Sequence, residues 1–343
     1  MNSKKKRAFG VIAAVIIVLL AVIFISFLLD SQGGETPIAG DAEESQLQSQ
    51  SGLDIWDTIW FQGNEYRYNN QLLNVLFLGI DAWGTLEDSE NQRPGIADAI
   101  LLVSLDAEKE QAQVLNISRD ILTEVNVFNR AGQVTATKTT QLGLQHGYGL
   151  GGLQSSRAMV NTVSNVLYGI PIDGFIALNV DSVALLNDAI GGVTMVMPAD
   201  YSYIDPDFYA GARVVFTGAQ AERFVQFRDI TVPGSNQDRM RRQNYFVLAF
   251  FQSLRTEVDG SFFAYMEVYD RLSAYMTTNL SAQDIVQVMG FRFDSDSLIE
   301  LPGDITYGAI EGEGGTVIGG HDVFHIDEEA LQELIIKMFY VSA

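Results

Sequence analysis

Two aspartates and an arginine stand at the ends of apolar runs that are too short to be helices. Asp81 follows Val75–Ile80, Asp98 precedes Ala99–Leu105, and Arg119 with Asp120 follows Gln113–Ile117. Short runs rich in Val, Ile and Leu suit strands buried on both faces of a sheet. In open α/β sheets, ligands bind at such strand ends. Carboxylates gathered there with an arginine suggest a metal ion beside an anion. Each aspartate taken singly also fits an ordinary turn residue, so the combination carries the signal.

The other arginines strengthen it. Fourteen arginines follow residue 29, and six of them lie between Arg213 and Arg242. Arg239, Arg242 and Gln243 are three and four residues apart, hence on one helical face. They also fall in the first turns of a helix, where free N–H groups and the macrodipole favour phosphate. The planar fork of arginine binds phosphate oxygens bidentately. A solvated helix start balanced by Asp238 and Glu222 is the competing reading. Lys138, one of three lysines after residue 29, is a further candidate for phosphate. His321 and His325 are four apart, but a zinc site needs a third ligand that the sequence does not name. The HGYGLGG stretch (His146–Gly152) lacks nucleotide-loop spacing and reads as a hinge into a helix.

Helices and strands alternate around these residues. Leu153–Tyr168 has helical periodicity and ends at Gly169 and Pro171. Phe175–Val180 and Val193–Met197 read as strands, with a helix between them starting at Asp181. Thr217 caps a helix reaching about Arg228, Asp238–Leu254 forms another, and Ser281 with Asp284 opens a third that ends at Gly290. A strand at Leu298–Leu301 and a helix at Asp327–Tyr340 close the chain. The expectation is a three-layer α/β/α domain with a central mixed sheet over 71–343. The apolar run Tyr245–Phe251 reads as core, with a groove lining as the alternative.

The formal net charge of −22 excludes a nucleic-acid partner, which requires a basic surface. With no cysteine, disulfides and thiolate metal sites are excluded. Lys4, Lys5, Lys6 and Arg7 form a basic tail (1–7) before the uncharged stretch 8–29. That stretch has the length of a transmembrane helix and exceeds the usual signal-peptide core of about 7–15 residues. The basic flank predicts a cytoplasmic N-terminus, a single pass, and everything after Asp30 outside the membrane. Residues 30–70 then form a polar, flexible linker, within which Leu53–Phe61 reads as a short helix or edge strand.

The segments NVLFLGID, RPGIADAILLVSLD, LNISRD, GYGLGG, YGIPIDGFIALNV, AIGGV and FTGAQAERFVQFR followed by DRMRRQ occur in an order that resembles the LytR-CpsA-Psr family of cell-envelope proteins. The resemblance spans about Leu72–Val247. It implies a transferase that moves a glycopolymer from an undecaprenyl-pyrophosphate carrier onto a peptidoglycan acceptor through a phosphodiester, with an apolar groove for the lipid. By motif matching, Asp81 and Asp98 would hold Mg²⁺ (or Mn²⁺). Arg119, Arg228, Arg239 and Gln243 would hold the pyrophosphate, with Arg119, Asp98 and Arg239 catalytic. Three positions depart from the family pattern. Ile96 stands where an arginine is usual, with Arg93 three residues earlier as a substitute. Gln226 replaces one of two paired arginines, and Asn236 replaces an acid, with Asp238 two residues on. Asp120 is a candidate general base, with pairing to an arginine as the favoured alternative. The rival reading is a non-catalytic envelope regulator or scaffold that binds polyprenyl phosphates.

Overall fold

The computed structural model describes residues 58–82, 84, 94–229, 231–232, 235–257, 262–293, 297–312 and 316–343. All belong to one compact unit, Asp57–Ala343. The membrane span read at 8–29 lies outside the described residues, among which no helix is long and apolar enough to cross a membrane.

Six strands form the central sheet: β3 (Leu72–Ile80), β4 (Ala97–Asp106), β5 (Gln111–Asn116), β8 (Gly174–Asn179), β11 (Met276–Thr278) and β12 (Leu298–Glu300). Their spatial order is β11-β8-β3-β4-β5-β12. The β3–β8 and β5–β12 pairs are parallel, whereas β3–β4, β4–β5 and β8–β11 are antiparallel, so the sheet is mixed as expected. Residues Ile100–Leu105 are all buried, which requires cover on both faces.

Alternation sorts the side chains. Val75, Leu101, Val103 and Ile176 join the core beneath five helices: α3 (Ser182–Ala189), α4 (Gly218–Gln226), α5 (Ser235–Glu257), α6 (Phe262–Leu272) and α7 (Ala282–Gly290). Helix α1 (Leu144–Gly147) leads into α2 (Gly152–Val166), which packs on β8 and β11; the last helix is α8 (Glu328–Phe339). Capping chemistry fixes several starts. Thr217 with Gln220 and Ser281 with Asp284 form the expected capping boxes, and the Asp327 carboxylate accepts from Ala330 N–H. Asp181 differs from expectation: it makes no cap bond, and its carboxylate accepts from Gly84 N–H at 2.6 Å. The Asn179 side-chain amide donates to the Gly84 carbonyl at 2.9 Å, so the chain leaving β3 is tied down from both sides.

Several pieces go beyond what periodicity shows. Within the stretch read as linker, β1 (Thr58–Phe61) takes the edge-strand alternative read for Leu53–Phe61, while β2 (Asn64–Tyr68) was not foreseen; they form a small sheet with β15 (Tyr340–Ser342). β6 (Leu122–Phe128) and β7 (Val134–Gln141) form one hairpin, and β13 (Gly303–Gly312) and β14 (Thr316–Ile326) another. The remaining pair, β9 (Thr194–Val196) and β10 (Arg213–Val215), is antiparallel.

Candidate active site

Asp98 owes its position to an irregularity. The β3–β4 register passes from Gly79↔Ala99 to Ile80↔Ala97, leaving Asp98 as the extra residue of a bulge. Bulges re-aim a side chain and end regular pairing, and here the carboxylate is delivered to the end of the sheet. Asp81 is exposed at the same end, its N–H donating to the Ile96 carbonyl at 2.9 Å. A side chain at Gly95 would collide with the Asp81 carbonyl, so glycine allows the 94–96 segment to lie against Asp81. Buried His146 holds that segment from behind, Nδ1 lying 2.7 Å from the Gly95 carbonyl. Burial lowers the His146 pKa, which favours the neutral ring with its Nδ1–H as donor.

Guanidinium groups reach Asp98 from two elements. Arg119, three residues beyond β5, pairs with one carboxylate oxygen, and Arg239, in the second turn of α5, has Nη1 3.1 Å from the other. Arg119 Nε also lies 3.5 Å from Asp120 Oδ1. Arg228 stands at the rim, with Nη2 4.0 Å from Asp322 Oδ2 and Nε donating to Ser235 Oγ at 3.4 Å. Desolvation lowers the pKa of Arg119; Asp120 opposes this, while Arg239 and Arg228 add to it. Arg239 and Arg228 are thus close enough to perturb Arg119, and three guanidiniums so grouped have the chemistry to hold an anion.

Behind this cluster lies an apolar cavity of about 350 Å³ between the sheet and the helices. Phe77 and Ile176 line it from the sheet, Leu186 from α3, Phe246 and Phe250 from α5, and Val288 from α7. Its polar lining includes Asp81, Asp98, Gln226, Arg239 and Gln243, with Asn179 and Ser182. The run Tyr245–Phe251 therefore divides: Phe246, Val247, Phe250 and Phe251 face the cavity, while Leu248 and Ala249 are buried without lining it.

Arg119, Arg228, Arg239, Asp81, Asp98 and Gln243 thus gather at one end of the sheet. Gln243 also donates to the Val225 carbonyl at 3.1 Å, which fixes its side chain. Arg242 goes elsewhere, and the pyrophosphate role read for it is corrected. Its side chain is 1% exposed and donates to the carbonyls of Phe224 in the last turn of α4 and of Phe227 just past it, with Nε 3.3 Å from Asp238 Oδ2. Lys138 is likewise not at the cavity; its ammonium lies 5.6 Å from the Tyr148 ring centroid. Arg93 and the Asn236 and His321 side chains lie outside the described residues. His325 Nε2 lies 2.8 Å from Thr306 Oγ1. Among the described residues no three His, Cys, Asp or Glu side chains are grouped to hold a metal.

The sequence reading missed Asp322 and Gln141. Gln141 Nε2 donates to Asp120 Oδ1 at 2.9 Å and to the Asp322 carbonyl at 2.8 Å, joining β14 to the arginine cluster. Burial raises the pKa of Asp120 against the pull of Arg119, and the charge of Asp322 raises it further. No local signal marks Asp322, which reaches the site because β14 bonds to the Arg119–Asp120 turn, Phe324 N–H donating to the Asp120 carbonyl at 3.0 Å.

The LytR_cpsA_psr family model matches residues 35–339. The chain belongs to this family. A polyisoprenyl-teichoic acid–peptidoglycan teichoic acid transferase TagU of Bacillus licheniformis is 23% identical over 273 residues, 79% of this chain and 78% of that protein. Its Halalkalibacterium halodurans counterpart is 28% identical over 171 residues, 49% of this chain and 50% of that protein. Among solved structures, TagT bound to LI-WTA superposes with a TM-score of 0.55 at 22% identity, covering 78% of this chain and 90% of that one. This structural likeness establishes the fold.

Two carboxylates are a sufficient protein contribution for Mg²⁺, which keeps several waters and takes phosphate oxygens alongside one or two carboxylates. Asp81 and Asp98 line one mouth and fit that demand. Both oxygens of Asp98 meet guanidiniums, so an arriving ion and phosphate would share or exchange these pairs.

Proposed function

We propose that this chain is a membrane-anchored, extracytoplasmic transferase that moves a glycopolymer from an undecaprenyl-pyrophosphate carrier to peptidoglycan. The observation that carries the reading is Asp98 held between Arg119 and Arg239 beside an apolar cavity. A pyrophosphate with a long hydrocarbon tail is a ligand that needs both. The TagU relatives carry a related activity in their names; the uncharged stretch 8–29 is read as the anchor, and the basic tail before it gives the orientation.

In this reading Arg119, Arg228 and Arg239 hold the phosphate oxygens while the cavity takes the tail. An acceptor sugar hydroxyl attacks the glycan-linked phosphorus. A new P–O bond forms, the anhydride P–O bond to the carrier breaks, and polyprenyl phosphate leaves. The hydroxyl proton passes to water, while Asp120, 1% exposed with Arg119 Nε 3.5 Å from its Oδ1, holds that arginine in place. The guanidiniums stabilise charge on the equatorial and leaving oxygens, which is most of what protein contributes to phosphoryl transfer. Bound at Asp81 and Asp98, Mg²⁺ would neutralise developing phosphate charge. The charge balance favours such an ion, because Asp81, Asp98, Asp120 and Asp322 outnumber Arg119, Arg228 and Arg239 by one.

The test is glycan transfer from a polyprenyl-pyrophosphate donor to peptidoglycan by the full-length protein in detergent, with and without EDTA. Transfer that is lost with EDTA and in Arg239→Ala supports the reading; transfer unaffected by both refutes it. Tight donor binding without transfer would favour the rival, a polyprenyl-phosphate-binding regulator, to which neutral Gln226 in the cavity lining points.

A further inference from the structure

A second recess, of about 230 Å³, lies across α5 from the lipid cavity. Arg239, Gln243, Phe246 and Phe250 of α5 face the first cavity, whereas Gln237, Met240, Arg241 and Asn244 face the second. At about 100° per residue these sets occupy different sides of the helix. The recess adjoins the arginine cluster by two routes. Ser118 in its wall precedes Arg119, and Phe324, also in its wall, donates its N–H to the Asp120 carbonyl at 3.0 Å. Phe324 is two residues from Asp322 on β14 and so shares its face.

The lining is polar where the lipid cavity is apolar. Buried Asn116 and Asn244 donate their side-chain amides to the two oxygens of Glu300, at 2.5 and 3.2 Å. The clamped carboxylate keeps acceptor capacity toward the recess, since each oxygen has two lone pairs. Ser118, Arg241 and Asp304 add further donors and acceptors, and Phe324 adds an aromatic wall. Fixed acceptors, mixed donors and one ring suit a hydroxyl-rich sugar. The volume is below the range of drug-sized ligands and fits a single ring.

We infer that this recess is a subsite for one neutral sugar ring of the transfer reaction, and that it seats the acceptor. This rests on the transferase reading above. In-line displacement brings the nucleophile from the side opposite the leaving group. A leaving polyprenyl phosphate points toward the apolar cavity, so the attacking hydroxyl enters from the side where this recess lies. Glu300 and Asp304 fix the ring, and its free hydroxyl is presented to the phosphorus beside Arg119.

The experiment measures KM separately for soluble peptidoglycan strands and for glycosylated donor, using full-length protein in detergent, with Glu300→Ala and Asp304→Ala. Loss of one carboxylate–hydroxyl hydrogen bond raises the acceptor KM about tenfold and leaves the donor KM unchanged. A rise confined to the donor KM would keep the sugar subsite but overturn its assignment to the acceptor, and no change in either would overturn the subsite. Saturation-transfer NMR with an N-acetylglucosamine–N-acetylmuramic acid disaccharide, its lactyl carboxyl amidated so that the probe is neutral, adds a readout that needs no turnover. Disaccharide binding that is lost in Glu300→Ala, in a protein without transfer activity, sustains the subsite while removing the transferase reading. Transfer with no disaccharide binding does the reverse. Asp304 is exposed, so its variant carries the test if Glu300→Ala proves unstable.

Discussion

Arg239 and Arg242 are one helical turn apart, yet their replacement should have opposite consequences. Arg242 bridges the end of α4 to α5, with its guanidinium on the Phe224 and Phe227 carbonyls and on Asp238. Its side chain is 1% exposed, and it lies 5.8 and 6.0 Å from the Phe224 and Tyr201 ring centroids. Arg242→Gln removes charge-assisted bonds worth about 1.5–3 kcal/mol each and leaves buried carbonyls short of a donor. Leaving the two carbonyls unpaired costs about 1–3 kcal/mol each, and the bond to the partly exposed Asp238 adds little. At about 2–4 °C per kcal/mol for a domain of this size, the melting temperature should fall by roughly 10 °C. Arg239 points into the cavity mouth, where its replacement spares the helix contacts. Thermal unfolding followed by circular dichroism, paired with polyprenyl-pyrophosphate binding at 20 °C, separates the two roles. The Arg242 variant should be destabilised but bind normally while folded, and Arg239→Gln should lose about tenfold or more in affinity with little change in melting. An Arg242 variant that melts like the parent and loses affinity would refute the reasoning.

Asp98→Ala should lower turnover at least about a hundredfold, by removing the group that orients Arg119 and Arg239 and a proposed metal ligand; initial rates against Mg²⁺ concentration, with circular dichroism to confirm folding, measure it. Gly95→Ala should push the 94–96 segment off Asp81, and displacement of about 1 Å there is enough to cost about a hundredfold in turnover; an unchanged rate would show that Asp81 tolerates the shift. His146 has a folded-state pKa below its unfolded value, so the unfolded chain binds more protons between the two. Stability should therefore be greatest above the unfolded pKa near 6.5 and fall with acidification below it, by at most about 1.4 kcal/mol per pH unit. His146→Gln should flatten that dependence in urea titrations at pH 7 and pH 5.

The parts of the fold that announce themselves locally were legible. Val75–Ile80 and Ala99–Leu105 are continuous apolar runs because both faces of their strands are covered. Thr217 and Ser281 mark helix starts because their hydroxyls satisfy free N–H groups whatever lies around them. The β13–β14 hairpin was missed because its glycines break the alternation, and with it went Asp322. The β6–β7 hairpin is largely exposed, so no buried face patterns its sequence. Within the site, spacing placed Arg239, Arg242 and Gln243 on one helical face. It did not show that carbonyls at the end of α4 lie beneath Arg242 and Gln243 while Arg239 turns to the cavity mouth. Asp98 was found from its place at a strand end, whereas the bulge that aims it depends on a pairing register that no local motif reports.

The central claim is that a diphosphate meets Arg119, Arg228 and Arg239 while its hydrocarbon tail enters the cavity between sheet and helices. A structure of the protein with a polyprenyl pyrophosphate and Mg²⁺ tests it most directly. Phosphate oxygens are expected on those three guanidiniums, the ion at Asp81 and Asp98, and the tail against Phe246 and Phe250. A lipid bound on the outer surface, with the cavity empty and Asp98 still paired to both arginines, would contradict it.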